Sequence, residues 1–121
     1  MRIDRLFILI AFVWLLCGMV FGIYIGINDL TVHSNAHAHA GLLGFVVSAL
    51  FGLFHRSWPA MGHSKLALPQ LVIYEIGVVV LVIGKYQVSE TGVSAIVAPG
   101  AVITVLGTLL MAWLFVAKAQ D

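Results

Sequence analysis

The stretch Leu6–Ile27, LFILIAFVWLLCGMVFGIYIGI, carries no charged residue, and its reading decides the fold class. About 20 apolar residues at 1.5 Å rise cross a hydrocarbon layer of about 30 Å as a helix. Three further stretches meet that requirement: Asn35–Phe54, Leu66–Gly84 and Val93–Ala117. Together the four leave only short connections within the 121 residues. Composition agrees, with 62% hydrophobic and 9% charged residues and a mean hydropathy of +1.11. A soluble domain is about one-quarter charged, so this chain cannot cover a water-facing globule. Soluble enzymes and disordered segments are excluded. The net charge of +1 provides no basic patch for nucleic acid. The expected fold is an all-α, integral membrane four-helix bundle of up-down-up-down topology, with residues 1–121 forming a single four-span domain in the lipid bilayer.

Charge placement predicts orientation. Arg2, Arg5, Arg56, Lys65 and Lys118 fall at one end of the predicted helices and only Lys85 at the other. The excess of basic residues marks the cytoplasmic side, which gives an N-in/C-in topology in a bacterial inner membrane. Residues 28–34 then face the periplasm. Arg2 and Arg5 before an apolar run also fit a cleaved signal, but the run exceeds the usual apolar region of about 7–15 residues. A retained first span is therefore expected. The single Cys17 forms no intrachain disulfide. Trp58, Pro59 and Gly62 suit a turn at the lipid interface, Lys85–Gly92 reads as an outer loop, and Pro99 predicts a kink in the last helix.

Membrane helices associate where small residues let backbones approach. Gly18, Gly22 and Gly26 recur at spacing four, as do Ala40, Gly44, Ser48 and Gly52, and Gly100, Thr104, Thr108 and Ala112. These stripes predict packing within the bundle, and one of them is also a candidate subunit interface. Met19, Met61 and Met111 are scattered and read as packing residues.

Three of the five histidines fall in His33-Ser-Asn-Ala-His37-Ala-His39. Ionisable groups inside membranes usually line a site. Ser34 or Asn35 is expected to cap the helix start, placing His37 and His39 in its first turns. At 100° per residue, side chains two apart diverge by about 200°, so His37 and His39 serve two different sites. His33 and His37 share a face if the helix begins early. Ala36, Ala38, Ala40 and Gly41, with Gly44 one turn on, leave room for a bulky planar group. Haem suits that combination, because its iron takes neutral imidazole. The expected cofactor is haem b, bound by His37 and His39 beside Gly41 and Gly44. The alternative is copper or zinc held by His33, His37 and His39 from several chains. Against zinc stand the missing second cysteine, the absence of an acid beside the histidines and the lack of an HExxH pattern. His55 and His63 are expected to bond water or backbone in the loop near Trp58.

The run from His37 to Pro59, HAHAGLLGFVVSALFGLFHRSWP, resembles helices of the catalytic subunit of haem–copper oxidases and nitric oxide reductases. In that family a His-x-His pair near the outer end of one helix ligates two different haems. The resemblance implies a short four-helix homologue of that subunit, with the ligating histidines on its second helix. It further implies a homotrimer that imitates the family's three four-helix repeats. Each haem would take His37 from one protomer and His39 from its neighbour. The family's separate copper-binding histidine helix and tyrosine cross-link signature have no counterpart here, so electron transfer is implied and not oxygen or nitric oxide reduction. A redox protein or a quinone is the implied partner. A cofactor-free accessory subunit of a respiratory complex is the remaining alternative.

Glu75 lies mid-span in the third stretch, beside Tyr74. A carboxyl alone in hydrocarbon is expected to be neutral or paired. It reads either as a proton or polar site, metal ligand or quinone contact, or as a structural group bonded to Ser48, Thr104 or a carbonyl. Arg56 and Lys65 are placed to meet phospholipid headgroups.

Overall fold

The computed structural model describes residues 1–120. Its helices are α1 (Ile3–Ile27), α2 (Thr31–Ser57), the single turn α3 (Pro59–Gly62), α4 (Ala67–Thr91) and α5 (Val97–Lys118). The four long helices each have the length and apolarity to cross a membrane. The chain is an all-α helical bundle and a multi-pass membrane protein. Its outer surface is apolar, with Val20, Ile27 and Val116 at 67%, 78% and 80% exposure. An apolar surface of this kind, on helices long enough to span, suits a lipid environment.

Helix ends depart from the apolar stretches. α4 continues through Lys85–Thr91, where an outer loop was expected, and stops at Gly92. Gly92 takes a left-handed φ of 74° and donates its N–H to the Val88 carbonyl at 2.9 Å. Hydropathy marks the portion of a helix suited to lipid, whereas the helix ends where a residue tolerates that conformation. α2 begins early, with one tight turn at Thr31–His33 and no side-chain cap. Ser34 and Asn35 therefore lie inside the helix and do not cap it. Pro99 is the third residue of α5, where a backbone N–H has no intrahelical partner. Gly100 still donates to the Ile96 carbonyl at 3.1 Å, so Pro99 supplies no cause for the expected kink.

α4 is the most enclosed span, half of its most apolar window being buried, against 17% for α1. Its contact with α5 is set by glycine. A Cβ added at Gly77 would lie 2.5 Å from the Thr104 nitrogen, and one at Gly107 would lie 2.7 Å from the Tyr74 Cα. The α1–α2 contact follows the same logic, with Trp14 lying over Gly44 and the Asp4 carbonyl and Phe7 lying against Gly52. In the first glycine stripe only Gly22 meets a close neighbour, while Gly18 and Gly26 have open space where a Cβ would go. Phe7, Phe51, Met61, Leu71, Tyr74 and Leu114 form the core where the helices meet.

The middle of α2, Ala40–Val47, winds in the wider i→i+5 register. Its buried residues include Ala36, Ala40, Gly44, Ser48 and Gly52, all four apart. On a regular α-helix each step of four drifts by about 40°. The wider winding counters that drift and keeps the row facing the bundle. The Leu43 carbonyl in this stretch also accepts from Tyr74 Oη at 2.7 Å and from Ser48 Oγ at 3.5 Å. Wide turns of this kind recur at functional sites, and this one starts directly after His39.

Candidate functional site

Because α2 begins at Thr31, His33 and His37 lie one turn apart on the same side. Phe21 of α1 contacts both, with ring centroids 6.2 Å from each. His37 is half-buried and its ring lies over Gly22, whose absent Cβ would be 2.9 Å from the imidazole Cε1. Its Nδ1 is buried without a partner among the described residues.

His39 lies on the other side of the helix, in a different environment. Its Nδ1 donates to the Asn35 carbonyl one turn back, at 2.8 Å. A carbonyl only accepts, so the proton sits on Nδ1 and the neutral ring carries its lone pair on Nε2. Asn35 and Leu42 on this side are exposed, and His39 itself is half-exposed. An imidazole whose one nitrogen is fixed by a backbone carbonyl while the other stays free is arranged as metal-ligating histidines commonly are.

Gly41 has nothing within 4 Å of a Cβ position, whereas a Cβ at Gly44 would lie 2.4 Å from Trp14 Cδ2. The two glycines expected beside a cofactor thus separate. Gly41 borders open space one turn along the helix from His37, and Gly44 is occupied by the Trp14 indole within the protomer.

His33 is fully buried, and its Nε2 donates to the Glu90 carboxylate at 2.6 Å. Its ring stacks on Tyr86 at 4.2 Å with an interplanar angle of 6°. This ties the start of α2 to the end of α4. The Nε2 is committed to Glu90, and Nδ1 is buried without a partner among the described residues. Among the described residues, no group of three or more His, Cys, Asp or Glu side chains is placed to hold a metal ion.

Glu75 is bonded on both oxygens. Trp14 Nε1 donates to Oε2 at 3.0 Å, and Ser48 Oγ donates to Oε1 at 2.7 Å. The carboxyl joins α1, α2 and α4 at mid-bundle, beside the Tyr74–Leu43 bond. Ser48 was among the partners expected for it; Trp14 was not. At the opposite end of the bundle, Asp4 accepts from Arg2 and Arg56, so Arg56 is engaged with an acid and not solely with the membrane surface.

No protein-family model, curated protein or solved structure matches the chain. Several functional partners carry no local signal in the sequence. Glu90 lies 57 residues from His33, and Trp14 lies 61 from Glu75. The spacing of four between Tyr86 and Glu90 was the one available hint, since it places both on one helix face.

Proposed function

We propose that the chain is a b-type haem protein of the bacterial inner membrane that transfers electrons. His39 of one protomer and His37 of a neighbour in a homo-oligomer, a trimer by the resemblance described above, would hold each haem at the periplasmic end. The observation that carries this reading is the orientation of His39. Its Nδ1–H is bonded to its own helix, and its Nε2 has no partner among the described residues, on a half-exposed flank beside Leu42. A ligand aimed away from its own bundle fits a cofactor shared between protomers. Bound haem supplies a one-electron iron couple whose potential follows its axial ligands and surroundings. The protein's own contribution is to fix the imidazole tautomer, to present Nε2, and to keep water away with Leu42 and neighbouring apolar residues. A membrane quinone or a redox protein at the same surface would exchange the electrons. The copper or zinc alternative gains nothing from His33, whose Nε2 serves Glu90.

Visible spectra of the detergent-purified protein, oxidised and then dithionite-reduced, test the proposal. Low-spin bis-histidine bands are expected, with loss of haem in His39→Ala and in His37→Ala. A colourless protein from haem-supplemented cells would overturn it, and stoichiometric copper or zinc in that sample would put the metal-binding alternative in its place.

A further inference from the structure

The arginine end of the bundle holds a second candidate site, built without any of the residues assigned to haem. A cavity of about 430 Å³ opens where α1 begins and α2 ends, lined by Arg2, Asp4, His55, Pro59, Gly62 and His63. His55 is 2% exposed and stacks on Phe7 at 5.7 Å and 18°. Both of its ring nitrogens are buried and lack a partner among the described residues. An imidazole always carries at least one N–H donor, and a buried polar atom left unpaired is costly enough that such groups are rarely left so. His55 lines the cavity, so an occupant that bonds to a ring nitrogen would remove that cost. Its volume is far more than the ~30 Å³ that one water takes up in the liquid.

The charges around the cavity select the sign of the occupant. Asp4 is the one acid in the lining, and it already accepts two bonds from Arg2 and one from Arg56, at 3.1, 3.1 and 3.2 Å. Both of its oxygens are engaged, so it offers a cation little. Two guanidinium groups face this single carboxylate, which leaves a positive balance before either histidine is counted. Both guanidiniums keep further N–H donors, and their side chains are 67% and 62% exposed; Arg2 lines the cavity. Arginine with an imidazole donor is a natural arrangement for phosphate oxygens. Ile3 and Pro59 add apolar walls, and the cavity lies at the end of the apolar spans, at headgroup level.

We infer that this cavity binds the phosphate of a net-anionic ligand through His55 and Arg2, with Arg56 held alongside by Asp4. The phosphate could belong to an anionic lipid headgroup or be free in solution. The inference stands apart from haem binding. Detergent-purified full-length protein carrying ¹⁵N-histidine would be titrated with short-chain phosphatidylglycerol, inorganic phosphate or short-chain phosphatidylcholine. His55→Phe keeps the stack on Phe7 and identifies the His55 signal by its loss. A saturable shift of that signal with phosphatidylglycerol, together with a raised thermal midpoint, is expected. Arg2→Gln should weaken the binding several-fold. Saturation by phosphatidylglycerol alone assigns a lipid headgroup, and comparable saturation by inorganic phosphate assigns a free phosphate. Equal responses to phosphatidylcholine and phosphatidylglycerol, or no response to either anion, would overturn the inference. Should His55→Phe fail to fold, the wild-type thermal midpoint against each ligand and its change in Arg2→Gln separate the same outcomes.

Discussion

The two sides of α2 use similar residues to opposite ends. Facing the bundle, Ala36, Ala40, Gly44, Ser48 and Gly52 are buried, and the larger groups of α1 and α4 fill the space they leave. Trp14 covers Gly44, and Glu75 takes the Ser48 hydroxyl. On the two flanks of its exposed face, Gly41 has open space where a Cβ would go, and His39 bonds to its own helix. Small residues on the inner side make room for the protein itself. On the outer side the same kind of residue leaves room that the protomer does not use. This difference separates glycine that packs against its own bundle from glycine that borders open space, which composition alone cannot do.

Gly44→Ala should break the inner side most severely. The new Cβ would lie 2.4 Å from an indole carbon, and Trp14 cannot retreat without losing its bond to Glu75. Destabilisation of about 3 kcal/mol is expected, at the upper end of what overpacking costs, measured by denaturant or thermal unfolding in detergent. An unchanged midpoint would mean that Trp14 does not rest on Gly44.

Glu75→Leu follows. It leaves the Trp14 N–H without its acceptor in the bundle interior and leaves the Ser48 hydroxyl only its long bond to the Leu43 carbonyl, at a cost of about 1–3 kcal/mol. Ser48→Ala should cost less, about 0.6 kcal/mol, the average for a hydrogen bond between membrane helices. Equal losses in the two variants would show that Trp14 contributes nothing to the site. If Glu75→Leu preserved stability but abolished electron transfer, the carboxyl would be a functional group and not a joint between helices.

What the sequence made legible follows the range of the interactions. The four spans were readable because hydropathy and length are local. So was the divergence of His37 from His39, which needs only helical geometry. Ser48 was named for Glu75 because both lie mid-span in neighbouring helices. The Glu90 partner of His33 was not legible, since it needs both the early start of α2 and the extension of α4 beyond Gly84. The wide turns at Ala40–Val47 left a trace in the strict spacing of four, but a stripe of small residues in a membrane helix has simpler explanations. Gly44 was grouped with Gly41 because nothing in the sequence says that Trp14 comes to rest on one of them.

On the outer side, Gly41→Leu is expected to change stability by less than about 0.5 kcal/mol, as for a surface position without neighbours. It should nevertheless reduce haem occupancy, because the added side chain takes up the open space one turn along the helix from His37. A parallel loss of stability and haem would place Gly41 in the fold. Stable, fully haem-loaded Gly41→Leu would place the cofactor elsewhere.

The smallest effect is expected from Asn35→Ala, and its smallness carries information. Asn35 meets His39 through its backbone carbonyl, which alanine keeps, so the tautomer of His39 and its affinity for haem should be unchanged. An Asn that caps a helix would instead lose about 1 kcal/mol on replacement by alanine. Thermal unfolding of Asn35→Ala therefore tests where α2 begins. A loss of that size would start the helix at Asn35 and take His33 out of its first turn. His33 could then not keep both its stack on Tyr86 and its bond to Glu90. No loss would leave the turn at Thr31–His33 intact, with His33 facing into the bundle and His39 facing out of it.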